Sequence, residues 1–179
     1  MTDSQGVSST SSPITITVTN ATTFGVTTVG TKTDSATADN KEVTKYTAPS
    51  AGTVTKLSGY VSGLGSASGS QPVRAVLYAD SGGVPGALLG VSNAVTINAG
   101  RAWGWVDFTF PSAVPVSAGT VWMGYIAGTK TDLLQMRFEQ VAGAMRFNKN
   151  TGGYAAGATN PFGTATSSNK NYSLYATYG

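Results

Sequence analysis

Apolar and polar residues alternate over much of this chain, in short runs that end at glycine, proline or asparagine. Side chains at every second position of a β-strand point to the same face, so a period of two predicts a strand with one buried face. Residues 73–79 place valine, alanine and leucine at the odd positions, so these side chains share one face. The same reasoning predicts a strand at residues 14–19, continued at residues 24–29, and a bent or broken strand at residues 87–97. Further strands are predicted at residues 43–48, 53–61, 73–79, 103–110, 120–127, 133–140, 144–148 and 172–178.

Turn-forming segments between these runs indicate the fold class. Asp-Ser-Gly-Gly-Val-Pro-Gly at residues 80–86 predicts a hairpin turn, and Val-Ala-Gly at residues 141–143 predicts a second one. Residues 120–127 are apolar on both faces, which is typical of a central strand. No segment has a convincing helical period. The sequence therefore predicts an all-β protein, with one antiparallel, jelly-roll-like β-sandwich domain over residues 21–179.

The N-terminal segment differs from the rest of the chain. Residues 1–12 are rich in serine and threonine, and Ile14, Ile16 and Val18 then alternate with threonine. We predict that residues 1–20 form an extended arm whose three apolar side chains contact a partner by adding a strand to an exposed sheet edge. The segment has no signal-peptide pattern, and the chain has no apolar stretch of membrane-spanning length, so neither a signal peptide nor a membrane partner is expected.

Composition argues against most kinds of chemistry. The 179 residues include no histidine and no cysteine, which excludes serine–histidine triads and thiolate metal sites. The two glutamates, Glu42 and Glu139, lie in no recognisable catalytic context, so we expect no enzymatic activity. The 11 basic and 8 acidic residues give a net charge of +3, and the basic residues are scattered, so no nucleic-acid partner is expected.

A metal site also has little support in the sequence. Calcium needs several converging oxygen ligands, with carboxylates among them. The aspartates considered lie far apart, so no cofactor is expected, a structural calcium ion is the less favoured alternative, and metal ligands stay unassigned: Asp34, Asp39, Asp80, Asp107 and Asp132.

Two tryptophans are candidates for a binding surface. In the strand predicted at residues 103–110, Val106, Phe108 and Phe110 share one face, and Trp103 and Trp105 share the other. If the first face fills the core, the tryptophans are left for one of three roles. They belong to a second buried face, to an interface between subunits, or to a surface that contacts sugars.

The C-terminal third offers a second candidate. Residues 149–170 are predicted to form a long loop rich in glycine, asparagine, serine and threonine. Irregular loops of this length in compact domains are usually functional or disordered. We therefore predict that the aromatic residues of this loop, Tyr154 and Phe162, contact a partner or a glycan.

Two blocks of sequence together resemble a known group of proteins. One is Val-Arg-Ala-Val-Leu-Tyr-Ala-Asp-Ser-Gly-Gly-Val-Pro-Gly-Ala-Leu-Leu at residues 73–89, and the other is Gly-Trp-Val-Asp-Phe-Thr-Phe at residues 104–110, continuing through residues 114–127. The pair resembles bacterial and phage β-sandwich modules of the carbohydrate-binding type. Such modules occur in phage minor tail or capsid-associated proteins and in bacterial surface proteins.

The resemblance and the arm together imply a function. We expect a non-enzymatic structural protein of the phage virion, either a capsid decoration, a head-fibre protein or a minor tail protein. It would dock through its arm, present the sandwich on the particle and bind glycans weakly. The expected partners are other copies of the chain in a homo-oligomer, expected to be a trimer, other virion proteins and cell-surface glycans. The alternative is a carbohydrate-binding module of a secreted bacterial enzyme or adhesin, located outside the cell or at its surface.

Overall fold

The computed structural model describes residues 21–130 and 132–179, and within them the protein is almost entirely β-structure. The arm and its candidate contacts Ile14, Ile16 and Val18 lie outside the described residues. One short 3-10 helix, Tyr154–Ala156, interrupts the strands. The strands are β1 (Thr22–Gly25), β2 (Lys32–Ser35), β3 (Asn40–Ala48), β4 (Gly52–Gly63), β5 (Ser70–Asp80), β6 (Pro85–Val91), β7 (Val95–Asn98), β8 (Gly104–Val116), β9 (Gly119–Ala127), β10 (Leu134–Lys149), β11 (Thr166–Tyr172) and β12 (Leu174–Tyr178).

The strands pair antiparallel and form the two layers of a sandwich. One layer, the β4 sheet, has the order β1-β12-β4-β8. The other, the β9 sheet, has the order β10-β3-β9-β5-β6, with β7 also paired to β5 and β11 to β10. Strand β10 belongs to both layers, because its start pairs with β4 and its end pairs with β3. The predicted all-β sandwich is confirmed.

The core lies between the two layers and follows the predicted alternation. Val106, Phe108 and Phe110 of β8 are buried, as the sequence predicted. The ring of Phe108 meets the ring of Tyr125 of β9 at a centroid distance of 5.3 Å. A Cβ atom on Gly59 of β4 would lie 1.7 Å from the Tyr125 hydroxyl oxygen, so glycine is required for the layers to approach this closely.

The outer face of the β9 sheet is also buried. Strand β9 lies between β3 and β5, which confirms the predicted central strand. Its outward side chains Trp122 and Ile126 pack with Tyr78 of β5 and with Phe162 from the loop between β10 and β11. This loop therefore covers the outer face of the β9 sheet and completes a second, smaller apolar cluster.

Two predicted connections differ in the structure. The hairpin predicted at residues 133–148 is wrong, because β10 runs without a turn and pairs with β11 instead. Gln140 pairs with Lys170, and Met145 pairs with Ser168. Between these two pairs β10 advances by five residues, whereas β11 advances by two. The three extra residues form a bulge around Gly143, whose φ is 63°. The long loop predicted at residues 149–170 is also shorter, because β11 begins at Thr166.

Candidate functional site

Four aromatic side chains lie on the outer face of the β4 sheet, and we call them the aromatic surface: Tyr60, Trp103, Trp105 and Tyr175. All four are half-buried, so part of each ring stays accessible. They point outward because the residues that alternate with them fill the core. Tyr60 of β4 lies opposite Trp105 of β8 in register, while Tyr175 of β12 lies opposite Ser58 of β4. Pairing among three strands therefore assembles the surface.

The four rings form one continuous patch. Tyr60 stacks on Trp103 with centroids 5.9 Å apart and planes 7° from parallel. Tyr60 also meets Trp105 edge-on at 5.4 Å, and Trp105 meets Tyr175 edge-on at 5.0 Å. Because each ring is held by at least one neighbour, the surface is ordered before any ligand arrives, which lowers the entropy lost on binding.

A hydrogen-bonded polar group lies at one end of the aromatic surface. The ammonium group of Lys56 is 2.6 Å from Oδ2 of Asp107, and the hydroxyl of Ser58 donates to Oδ1 of Asp107 at 2.5 Å. The hydrogen bond to Asp107 raises the pKa of Lys56. Partial burial acts to raise the pKa of Asp107, but the hydrogen bonds from Lys56 and Ser58 outweigh it and lower that pKa. Both groups are charged at neutral pH and can hydrogen-bond to a polar ligand.

An arginine lies at the other end, against Trp103. The guanidinium carbon of Arg137 of β10 is 4.3 Å from the Trp103 ring centroid, which is a close cation–π contact. Its Nη1 donates to the Thr31 carbonyl at 3.3 Å, and the Thr31 N–H donates to Oε1 of Glu139 at 2.7 Å. The arginine is thus held on the ring by contacts with two connecting segments, one before β2 and one before β8.

Trp103 and Trp105 come together as the sequence suggested, while the other two predicted contacts lie on the opposite layer. Phe162 is only 1% exposed, so its ring cannot form the accessible loop tip that we expected. It packs edge-on against Tyr78 at 5.0 Å, and its carbonyl accepts a hydrogen bond from Nζ of Lys41 at 3.0 Å. Burial of this ammonium group lowers the pKa of Lys41 to about 8. The outer face of the β9 sheet needs an apolar cover, and Phe162 supplies it.

Tyr154 keeps a partly accessible ring, and its predicted contact role stays a prediction. Its N–H donates to Oδ1 of Asp39 at 2.7 Å, and the guanidinium carbon of Arg74 lies 5.5 Å from its ring centroid. These contacts hold Tyr154 against the β9 sheet, on the layer opposite the tryptophans. The structure therefore divides the predicted aromatic contacts between two faces.

Three members of the site are not among the contacts predicted from the sequence: Tyr60, Tyr175 and Arg137. The alternation of Leu57, Gly59 and Val61 indicates that Tyr60 points away from the core, so its direction was readable. The contact of Tyr60 with Trp103 and Trp105 could not be read from the sequence, because this contact depends on the pairing of β4 with β8. Nothing local in the sequence connects Arg137 with a tryptophan 34 positions earlier.

Asp80, one of the aspartates considered as a metal ligand, has a structural role. Oδ2 of Asp80 accepts the Gly83 N–H at 3.0 Å and its Oδ1 accepts the Trp122 indole N–H at 2.7 Å, so it organises the β5–β6 turn. Within residues 21–130 and 132–179, no three acidic side chains converge as metal ligands would. No helix in this part of the chain is long and apolar enough to cross a membrane.

A buried acidic cluster joins β2, β3 and β11 inside the sandwich. The hydroxyl oxygen of Tyr172 lies 2.6 Å from Oε2 of Glu42 and 2.8 Å from Oδ2 of Asp34. Lys170 pairs with Oδ1 of Asp34 at 2.5 Å. Burial is the main reason that the pKa of Glu42 rises to about 7, and the charge of Asp34 adds to the effect. The raised pKa favours the protonated form of Glu42, whose side chain is closed off from solvent.

Comparison with known proteins adds no family to this description. A scan against models of protein families returned no match, and a search of curated proteins also found none. The class that can be stated is an all-β sandwich with an aromatic surface on its β4 sheet.

Proposed function

We propose that this chain is a non-enzymatic structural protein of a phage particle and that its sandwich binds glycans through the aromatic surface. The observation that carries the proposal is the continuous patch of four half-buried rings on the outer face of the β4 sheet. The placement on a virion rests on the resemblance of residues 73–89 and 104–127 to phage and bacterial sandwich modules.

Aromatic rings suit sugars for a physical reason. A pyranose ring presents a flat face of C–H groups, which packs against an aromatic face while its hydroxyls stay at the rim. Tyrosine and tryptophan combine a large apolar ring with a polar edge, so they tolerate a partly wet contact. Lys56 and Asp107 supply a donor and an acceptor beside the rings for the sugar hydroxyls. A shallow surface of this kind favours weak binding that gains strength from several copies on one particle.

The arm completes the proposal. Residues 1–20 dock the chain onto the particle or onto neighbouring copies, with Ile14, Ile16 and Val18 as the apolar contacts. The chain assembles as a homo-oligomer, expected to be a trimer, together with other virion proteins. Capsid decoration, head fibre and minor tail are all compatible with this arrangement, since each presents a sandwich outward from a docked arm.

Affinity electrophoresis in gels that contain bacterial surface polysaccharides tests the glycan surface. Trp105→Ala removes the ring that joins Tyr60 to Tyr175, and we expect retardation to weaken about tenfold or more, as for loss of a central aromatic contact. Tyr154→Ala removes a half-buried ring from the opposite layer and serves as the matched control. Equal effects of the two substitutions, with both variants folded, would contradict a binding site on the β4 sheet.

The aromatic surface also favours the second candidate, a carbohydrate-binding module of a secreted enzyme or adhesin. The two candidates share the glycan contact and differ in assembly. Light scattering on the full chain and on a chain lacking residues 1–20 separates them. A trimer or larger species that dissociates on truncation supports the virion protein. Monomers in both cases would contradict self-association through the arm and favour the module.

A further inference from the structure

We infer that the glycan bound at the aromatic surface is acidic and that Arg137 pairs with its anionic groups beside Trp103. This inference rests on the proposed glycan binding and adds the chemical class of the ligand. It is drawn from the position of one arginine and from the charges around it.

Arg137 is presented in a way that suits an anion. A guanidinium that lies against an aromatic face keeps its N–H groups free at its edge, because the contact uses only the face of the group. Arg137 has five N–H donors. Among the described residues its guanidinium makes one hydrogen bond, from Nη1 to the Thr31 carbonyl at 3.3 Å. The remaining donors form a fork of the kind that binds carboxylate or sulfate with two parallel hydrogen bonds.

The charges along the aromatic surface are uneven. At the Asp107 end, Lys56 and Asp107 neutralise each other across 2.6 Å. At the Trp103 end, Arg137 belongs to neither of the ion pairs found in the described part of the chain, and exposed Arg101 precedes Trp103 by two residues. Glu139 is the acid on the same side of β10, and its Oε1 accepts the Thr31 N–H. At this end, therefore, the guanidinium of Arg137 lacks the close ion-pair partner that neutralises Lys56 at the other end.

A neutral glycan has no anionic group to pair with the guanidinium of Arg137. Hydrogen bonds between charged partners are about twice as strong as those between neutral ones, so an anionic group at this end gains more from Arg137 than a hydroxyl does. Single-stranded nucleic acid is the other anionic ligand that stacks on aromatic rings. It is disfavoured because it needs a basic groove along its backbone, whereas the Lys56 end of the surface is neutralised by Asp107.

The test compares acidic polysaccharides with their own neutral forms. The probes are polygalacturonate, alginate and hyaluronan, each before and after chemical reduction of the carboxyl groups to alcohols, together with a single-stranded thymidine oligonucleotide. Binding is measured by affinity electrophoresis and calorimetry. We expect the wild type to bind at least one acidic form about tenfold more tightly than its reduced form. Raising the salt from about 0.05 M to about 0.5 M should erase most of that preference.

Variants assign the preference to Arg137. Arg137→Gln should weaken binding of the acidic form to about the level of the reduced form, and should weaken binding of the reduced form by a much smaller factor. Arg137→Lys keeps the positive charge but lacks the paired N–H donors of the guanidinium, so this variant should retain part of the preference for the acidic form. Lys45→Gln, which removes a charge from an exposed position on β3, is the matched control and should change nothing. The melting temperature of each variant shows whether it is folded.

The outcomes distinguish failure of the acidic-ligand inference from failure of the proposed glycan binding. Equal binding of acidic and reduced forms, with Trp105→Ala still weakening both, would overturn the acidic ligand and keep the glycan surface. A preference that survives in folded Arg137→Gln would overturn the role of Arg137. Failure to bind any polysaccharide would refute the glycan function itself, and tighter binding of the oligonucleotide would overturn both.

Discussion

Stability should fall as the pH rises from about 4.5 to about 7, and Glu42 should be the cause. The side chain of Glu42 is buried, with the whole residue only 6% exposed, and it faces Tyr172, Asp34 and Lys170. The Tyr172 hydroxyl has a single proton, yet it lies within hydrogen-bond distance of both carboxylates. All contacts are satisfied when Glu42 is protonated, because Glu42 then donates to Tyr172 while Tyr172 donates to Asp34.

The sign and the size follow from proton linkage. Burial raises the pKa of Glu42 in the folded state to about 7, against an ordinary value of 4.5. Between these values the folded protein holds a proton that the unfolded chain has lost, so the free energy of unfolding decreases as the pH rises. At about 1.4 kcal/mol for each pKa unit, the full effect is roughly 3 kcal/mol. The contribution is complete below the unfolded pKa and lost once the pH exceeds the folded pKa.

The assay is denaturation by urea at a series of pH values, followed by tryptophan fluorescence. Glu42→Gln carries an uncharged amide that can donate to Tyr172 at every pH, so this variant imitates the protonated acid. The difference in unfolding free energy between wild type and variant should be small at pH 4.5 and grow to roughly 3 kcal/mol in favour of the variant above pH 7. Taking this difference removes the contributions of other groups, including Asp107, whose lowered pKa acts in the opposite direction.

Glu139→Gln is the matched control, because it makes the same change at an exposed position. Its pH profile should follow that of the wild type. The reasoning is refuted if Glu42→Gln runs parallel to the wild type across this range, or if it becomes the less stable of the two at neutral pH. Either result would mean that Glu42 stays ionised in the folded protein and is fully compensated by its neighbours.

Three further predictions concern other parts of the molecule. Phe162→Ala should lower the unfolding free energy by about 3–5 kcal/mol in denaturant titrations, because the ring is fully buried in the second apolar cluster. Gly59→Ala should destabilise by about 1–3 kcal/mol, since the new methyl group would overlap the Tyr125 hydroxyl, and Tyr125→Phe in the same chain should recover part of the loss in the same titration. Asp107→Asn should cost less than about 1 kcal/mol, because its pair with Lys56 is exposed, with side-chain exposures of 50% and 35%; a larger loss in thermal melts would show that the pair does more than hold a surface contact.

The fold was largely predictable because the local pattern is strong. Alternation alone placed Val106, Phe108 and Phe110 in the core and left Trp103 and Trp105 for the other face. The prediction was wrong where the same local sequence feature is compatible with two different backbone structures. Gly143, with its left-handed backbone, fits a hairpin turn and a bulge equally well, and only the presence of β11 as a partner decides between them.

The site was less predictable because it depends on strand register. The aromatic surface needs β4 beside both β8 and β12, and these strands are distant in the sequence. The burial of Phe162 has a similar origin. Outward apolar residues on β9, such as Trp122 and Ile126, show that this layer needs a cover, but no local feature tells which segment provides it. Long-range pairing, and not residue chemistry, limited the prediction.

The two layers differ in how the apolar side chains on their outer faces are covered. Each sheet has an outer face with large apolar side chains, and leaving such faces open to water is costly. The β9 sheet is closed by its own chain through Phe162, so aromatic residues there contribute to stability. The β4 sheet keeps Tyr60, Trp103, Trp105 and Tyr175 half-buried and orders them mainly through contacts with one another. A ligand that covered these rings would gain the burial that folding has left incomplete, and this difference between the layers is the physical reason why we propose recognition on the β4 sheet.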